Sequence, residues 1–201
     1  MIPRHFAIAV AIMLAVALGM SFYAWHMRSR ARQIQPAATA VARLPVGAPV
    51  SGPTEQIILY VANDEKGDLQ AREARIPLPG GRQARAEELL RALLNLYLGQ
   101  NSPHALGPGS EIQNVYLVDP GLVVIDLNQA FADGQRSGIL VEELTVASLA
   151  ETLSANLPGI TRVKFLVGGK ERDTLAGHAD LSHFYDVSAI NQMAAQLQAA
   201  P

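Results

Sequence analysis

Cysteine is absent from this 201-residue chain, and tryptophan occurs once. Without a thiol there is no disulfide, no thiolate metal site, no thiol nucleophile and no cysteine to carry a lipid anchor. Charge is also sparse, at 17% of residues, and unevenly spread. Five of the 16 basic residues (Arg4, Arg28, Arg30, Arg32 and Arg43) precede residue 44, whereas no acid occurs before Glu55. Residues 44–201 therefore hold 11 basic and 18 acidic side chains, a balance of −7. A mildly acidic body argues against binding a phosphate backbone, so no nucleic-acid partner is expected. Missing too are a Gly-x-Ser-x-Gly elbow, a His-Glu-x-x-His zinc helix and a Walker loop. No cofactor and no small-molecule substrate are indicated, and the chain is not expected to be an enzyme.

What is present begins with residues 6–25, FAIAVAIMLAVALGMSFYAW, twenty residues without a charge. At about 1.5 Å per residue a helix of that length crosses a hydrocarbon core of about 30 Å. Phe22, Tyr23 and Trp25 gather at one end, where amphipathic rings favour the interface, and Arg28, Arg30 and Arg32 follow. Ala15-Val16-Ala17 has the small-x-small form of a signal-peptide cleavage site, but the apolar run continues past it with no polar cleavage region. Residues 1–32 are therefore read as a retained membrane anchor with a basic flank. The arginine balance, one before the run against three after it, places the body in the cytoplasm by the positive-inside rule. Residues 33–55 form a linker, because Pro36, Pro45, Pro49 and Pro53 allow neither a helix nor a central strand to run through.

The body, residues 56–182, alternates strand and helix patterns. Residues 56–62 (QIILYVA) are β-branched and aromatic, ended by the polar turn 63–68; residues 69–76 return as a polar edge strand stopped by Pro77 and Pro79. The acids of that turn lack the spacing of a calcium loop. Leu89, Leu90, Leu93, Leu94 and Tyr97 share one face of a helix over 84–98, with Gly99 as its stop. Residues 112–131 read as a hairpin leading into a helix: Val115 and Leu117, then Val123, Ile125 and Leu127, recur at period two around the turn Asp119-Pro120-Gly121. Val146, Leu149, Ala150, Leu153 and Leu157 mark a second helix over 139–157, halted by Pro158-Gly159, and residues 162–167 alternate as a last strand before Gly168-Gly169-Lys170. The expected fold is one α+β domain in the order strand, strand, helix, hairpin, helix, strand, with two helices packed on one sheet. Residues 183–201 are left as a C-terminal tail, whose stretch from Asn191 is read as a short helix or disordered chain.

That order, together with Ile58-Leu59-Tyr60-Val61, Ala71 to Pro77, Leu98-Gly99, Val124 to Asn128, Glu151-Thr152-Leu153, Val163 to Lys170 and Thr174 to Leu181, resembles the GerMN domain of sporulation and spore germination proteins. Each piece is short, and their order and spacing carry the likeness. The resemblance implies an extracytoplasmic mixed α/β domain of envelope proteins, related in style to the ring-building modules of secretion-type assemblies and not known for an activity of its own. It outweighs the arginine count and puts the body outside the membrane. It covers a single copy of the domain without a lipobox cysteine, so lipid anchoring and a tandem role do not carry over. The implied partners are the membrane and either a protein assembly or peptidoglycan.

The structural or interaction candidates are Asp126, Tyr60, Arg75, Leu98, Gly99, Gly168, His178 and Asp180. Asp126 follows four apolar residues near a strand end. Its chemistry suits either a buried acceptor of backbone N–H groups or, in an alternative reading as a wall-acting hydrolase, a general acid or base. His178, Asp180 and His183 have metal-like composition but too few ligands for zinc, and a turn-stabilising His-Asp pair accounts for them.

Overall fold

The computed structural model describes residues 52–118 and 120–192. The expected membrane run over 6–25, its basic flank, the linker up to residue 51, Asp119 in the hairpin turn and residues 193–201 lie outside the described residues. Among the described residues no helix is long and apolar enough to cross a membrane.

Strand β1 (Thr54–Asn63) turns through Gly67 into strand β2 (Asp68–Pro77), and the two pair antiparallel along their whole length with Tyr60 opposite Ala71. Helix α1 (Arg82–Tyr97) follows, burying Leu89, Leu90, Leu93 and Tyr97. Strand β3 (Ile112–Val118) and strand β4 (Leu122–Leu127) form the expected hairpin, with Val115, Val123, Ile125 and Leu127 buried. Gly121 is a position that only glycine fills. Its φ is +74°, and a Cβ there would lie 2.6 Å from the Gly159 carbonyl, while its own carbonyl accepts N–H groups from Thr161 and Arg162. The chain then forms a short helix α2 (Gln129–Gly134), capped by Asn128, whose side chain accepts the Phe131 N–H at 2.8 Å. Helix α3 (Ile139–Asn156) leads into β5 (Arg162–Val167), which lies parallel to β4, as expected of two strands joined through helices. A two-residue strand, β6 (Tyr185–Asp186), closes the edge.

The strands form two sheets, β1-β2 and β3-β4-β5-β6, rather than the one sheet expected. The reason lies at the second edge of β1, where side chains take the place of a further strand. The Ile58 N–H donates to Asn156 Oδ1 at 3.1 Å, and Asn156 Nδ2 returns a bond to the Ile58 carbonyl at 2.6 Å. The Tyr60 N–H donates to Thr152 Oγ1 at 3.0 Å, and the Tyr60 carbonyl accepts from Ser148 Oγ at 2.6 Å. The Ala62 N–H reaches Tyr97 Oη at 2.8 Å, and the Tyr97 hydroxyl is bonded in turn to Ser148 Oγ. Ser148, Thr152 and Asn156 recur every four residues, so α3 presents them as one row along the strand. With its edge groups paired in this way, β1 accepts no further strand.

The domain also runs past residue 182, which corrects the tail boundary. Tyr185 and Asp186 pair with Val163 and Arg162, the Val187 N–H donates to the Thr161 carbonyl, and Val187 and Ile190 are buried. Buried Lys164 holds this segment by donating to the Leu181 and Ser182 carbonyls at 2.9 and 2.7 Å. A segment of mixed composition carries two core residues here, which local periodicity does not reveal.

Thr152→Val should lower the unfolding free energy by about 1–3 kcal/mol in urea titrations, because it leaves the Tyr60 N–H unpaired beneath α3. Ser148→Ala should do the same by breaking both of its bonds. A Thr152→Val protein as stable as the parent would show that water, not α3, completes the strand edge.

Candidate functional site

Asp126, the carboxylate singled out in the sequence, is 4% exposed on β4. Its Oδ1 accepts the Gly169 N–H at 2.8 Å, and the Gly168 N–H donates to the Leu127 carbonyl at 2.8 Å. Both glycines have positive φ, +60° at Gly168 and +73° at Gly169, which suits their residue type. Asp126 thus accepts one backbone N–H, in the turn after β5 rather than at the nearby helix start. Asn128 holds that second position.

The most heavily bonded acid is one that the sequence reading passed over. Glu142, in the first turn of α3, has no solvent exposure. Its Oε2 accepts the N–H groups of Ala176, His178 and Ala179 at 3.0, 2.9 and 2.9 Å. Its Oε1 meets the Gly138 N–H at 3.1 Å and His178 Nδ1 at 2.9 Å. Burial by itself raises the pKa of this carboxyl, but the backbone donors and His178 outweigh it and bring the value down from 4.5 to about 2. The reach back to the N–H of Gly138 caps the start of the helix from within, and a readable signal for it is an acid in the first turn of a helix that opens on glycine.

A third constellation has the acid, imidazole and hydroxyl order of a nucleophile relay. Asp64 Oδ1 lies 2.6 Å from His104 Nδ1, and His104 Nε2 lies 2.8 Å from Thr145 Oγ1, with Arg136 paired to Asp64 at 3.0 Å. His104 and Thr145 are wholly buried, Thr145 also donates to the Val141 carbonyl, and burial lowers the His104 pKa below 6.5 despite its bond to Asp64. A hydroxyl sealed in the core meets no substrate. The relay instead ties the β1–β2 turn and the loop before β3 to α3.

The remaining candidates do not come together as one site. Tyr60 belongs to the β1 edge described above, and Arg75 is exposed on β2 opposite Gln56. Leu98 ends α1 with 43% exposure, and Gly99 donates to the Leu96 carbonyl without entering the left-handed region, so a tightened last turn rather than a glycine stop ends that helix. His178 turns to Glu142 and to Ser137 Oγ, whereas Asp180 pairs with His183 at 3.3 Å and with the Ser182 N–H. Among the described residues no group of three His, Asp or Glu side chains is placed to hold a metal ion.

What is open on the molecule is part of the second face of the four-stranded sheet, at Tyr116, Val118 and Arg162. Alternation turns Val115, Ile125, Val163 and Phe165 into the core and directs their neighbours outward. The outward rows run Tyr116, Val124, Lys164 and Val118, Leu122, Arg162, Asp186 across the strands. Tyr116, Val118 and Phe184 are 48%, 44% and 49% exposed, and the Phe184 ring lies 5.5 Å from the Arg162 guanidinium and 5.7 Å from Lys164 Nζ.

The profile of the Germane family, described as sporulation and spore germination, matches residues 58–173. No curated protein matches. Among solved structures, a candidate lipoprotein of Clostridium perfringens is similar at 18% identity over 73% of this chain and 96% of its own, with a TM-score of 0.46. The tandem GerMN domains of the sporulation protein GerM from Bacillus subtilis are similar at 20% identity, over 67% of this chain and 46% of theirs, with a TM-score of 0.49. The first of those domains alone gives 21% identity, over 63% and 92%, and a TM-score of 0.44.

Because the Glu142 pKa is depressed on folding, its contribution to stability is complete above about pH 4.5 and is lost as pH falls towards about 2. Over that window a shift of this size corresponds to about 3 kcal/mol. Urea titrations between pH 7 and pH 2 should show this slope in the parent. Glu142→Gln, which turns an amide NH2 towards backbone donors, should be less stable at pH 7 and lose the slope. An unchanged slope in the variant would move the titration to another acid.

Proposed function

The chain belongs to the Germane family of sporulation and spore germination, whose domain is the GerMN type, and from that premise we propose a membrane-tethered, non-catalytic envelope domain that docks on a protein assembly. In this reading residues 6–25 are the tether, residues 33–55 hold the domain off the bilayer, and the domain lies outside the cytoplasmic membrane. The observation that carries the docking role is the outward sheet face of Tyr116, Val118 and Phe184 beside Arg162. Tyrosine, phenylalanine and arginine around an apolar strip make the composition of protein interface centres. The acids and histidines described above serve the fold, which leaves binding as the role that this surface supports.

A photo-crosslinking side chain placed at Tyr116 or Val118 of the full chain in membranes should give protein adducts, whereas one at exposed Asn95 of α1 should not. Tyr116→Ser with Val118→Ser should remove partner capture while changing unfolding free energy by no more than about 0.5 kcal/mol each, as exposed positions do. Equal adducts from Asn95, or retention of the double variant by purified peptidoglycan as its sole partner, would overturn docking on a protein through this face.

The tether and its orientation are tested separately. The full chain should stay with membranes through a salt wash, and a reporter that works only outside the cytoplasmic membrane should be active when fused after Pro201. Activity of a cytoplasmic reporter alone would mean that Arg28, Arg30 and Arg32 set the topology.

A further inference from the structure

The row of α3 side chains that seals one edge of β1 also fixes which backbone groups of β2 lie bare. The N–H and C=O groups of Ile58 and Tyr60 and the N–H of Ala62 all point to that row or to Tyr97, so these residues exchange no ladder bonds with β2. In an antiparallel pair the residues opposite them turn their own groups away as well. Glu73 lies opposite Ile58 and Ala71 opposite Tyr60, and the same alternation reaches Arg75 opposite Gln56. Ala71, Glu73 and Arg75 therefore direct their N–H and C=O groups to the outer edge of β2. All three residues are exposed, and these groups have no hydrogen-bond partner among the described residues.

The usual protections of such an edge are missing. β2 runs for ten residues where about five or six are usual, its register with β1 has no bulge, and neither lysine nor proline interrupts it before Pro77. Arg72 and Ala74, opposite buried Leu59 and Ile57, are exposed and half-buried, so the helices beneath β1 stop short of this edge.

Charge selects what the edge accepts. Bonds form only where outward residues of both strands face each other, so a second β2 running antiparallel must place the two-fold axis on a residue rather than between two. An axis on Arg72, Glu73 or Arg75 sets that side chain against its own copy, a like-charge contact. An axis on Ala74 sets Glu73 opposite Arg75 in both directions and leaves two small side chains at the centre. Glu73 has room for this, because its Oε2 accepts from Gln56 Nε2 at 3.0 Å while Oε1 is free, and Arg75 has no ion-pair partner among the described residues. We infer that β2 pairs edge to edge with β2 of a second copy, antiparallel and with the axis at Ala74, joining two two-stranded sheets into one. The contact uses none of the residues of the docking face and stands whether or not that face binds a protein.

Because the chain has no cysteine, one introduced thiol reports the axis without background. Ala74 meets its own copy in a non-hydrogen-bonded pair, with Cα atoms about 4.5 Å apart and within disulfide reach, whereas Ala71 lies about 20 Å from its copy. Oxidation of full-length Ala74→Cys in detergent micelles should give a covalent dimer at least about tenfold faster than Ala71→Cys or Asn95→Cys. Glu73→Arg should slow the Ala74→Cys reaction by about tenfold, and adding Arg75→Glu, which restores opposite charges across the axis, should return it. Sedimentation of the full chain without introduced thiols should show a concentration-dependent dimer that Glu73→Arg disperses and the charge-swapped double variant reforms, a readout independent of how well a cysteine variant folds. A chain that stays monomeric, equal cross-linking at Ala71 and Ala74, or indifference to the charge reversal would overturn the pairing. So would Ala74→Cys oxidised in cell membranes to an adduct with a different protein in place of the dimer, since the edge would then belong to another strand.

Discussion

The edge of β1 closest to α3 governs how the rest of the domain is put together. A strand needs partners for alternate N–H and C=O groups on both sides, and here one side is met by β2 and the other by Tyr97, Ser148, Thr152 and Asn156. The arrangement explains why α3 carries small polar residues within an otherwise apolar sequence and is buried along most of its length. A conventional amphipathic helix has one buried stripe, whereas this helix has an apolar face for the core and a polar row for a strand. Once β1 is sealed in this way, the hairpin β3-β4 assembles its own sheet with β5 and β6, and the single core lies between the parts.

The buried polar groups follow the same logic. Asp126, Glu142 and the Asp64–His104–Thr145 relay each pair a side chain on a regular element with backbone or side chain from a loop. Glu142 is the strongest case, because three backbone N–H groups converge on one carboxylate oxygen and keep it ionised where burial alone would protonate it. Such joints fix the position of a loop more narrowly than apolar packing does, since an acceptor must meet its donors within a few tenths of an ångström. They also account for acids and histidines that, read one by one, have the composition of catalytic or metal sites.

Much of the fold is legible in the sequence because periodicity reports burial. The alternation through Val123, Ile125 and Leu127, the leucine face of α1 and the Pro158-Gly159 stop all correspond to observed elements. Polar partnerships are not legible in the same way. The donors to Glu142 Oε2 are backbone groups 34 to 37 residues away, and every residue type has such a group, so composition holds no trace of them. His104 sits in a loop rich in glycine and proline with no pattern around it, and Gly99 lies where a glycine stop is expected although the helix closes by a tightened turn. The spacing of Ser148, Thr152 and Asn156 was the one readable clue to the two-sheet arrangement, and it reads as a polar row only when the apolar face of α3 is assigned elsewhere.

The same division separates what holds this domain together from what it leaves exposed. Core contacts and polar joints occupy the residues that chemistry-based reading favours, while the side chains of Tyr116 and Val118 in the outward rows make no hydrogen bond or ion pair among the described residues. Side chains in that position are free of the constraints that fix Glu142 or Ser148, so they can change while the fold persists. Exposed aromatic and β-branched residues at such positions lower solubility and raise the risk of sheet-to-sheet association, a liability that a monomeric carrier has no reason to keep. Under the proposed function, a tether would lower the demand further, because a linker near a fixed surface raises the effective concentration of a membrane-bound partner and lets a modest apolar strip suffice for capture. A weak face on a tethered domain is physically consistent, and under the proposed function it would place selectivity in the side chains of the outer rows rather than in the buried acids.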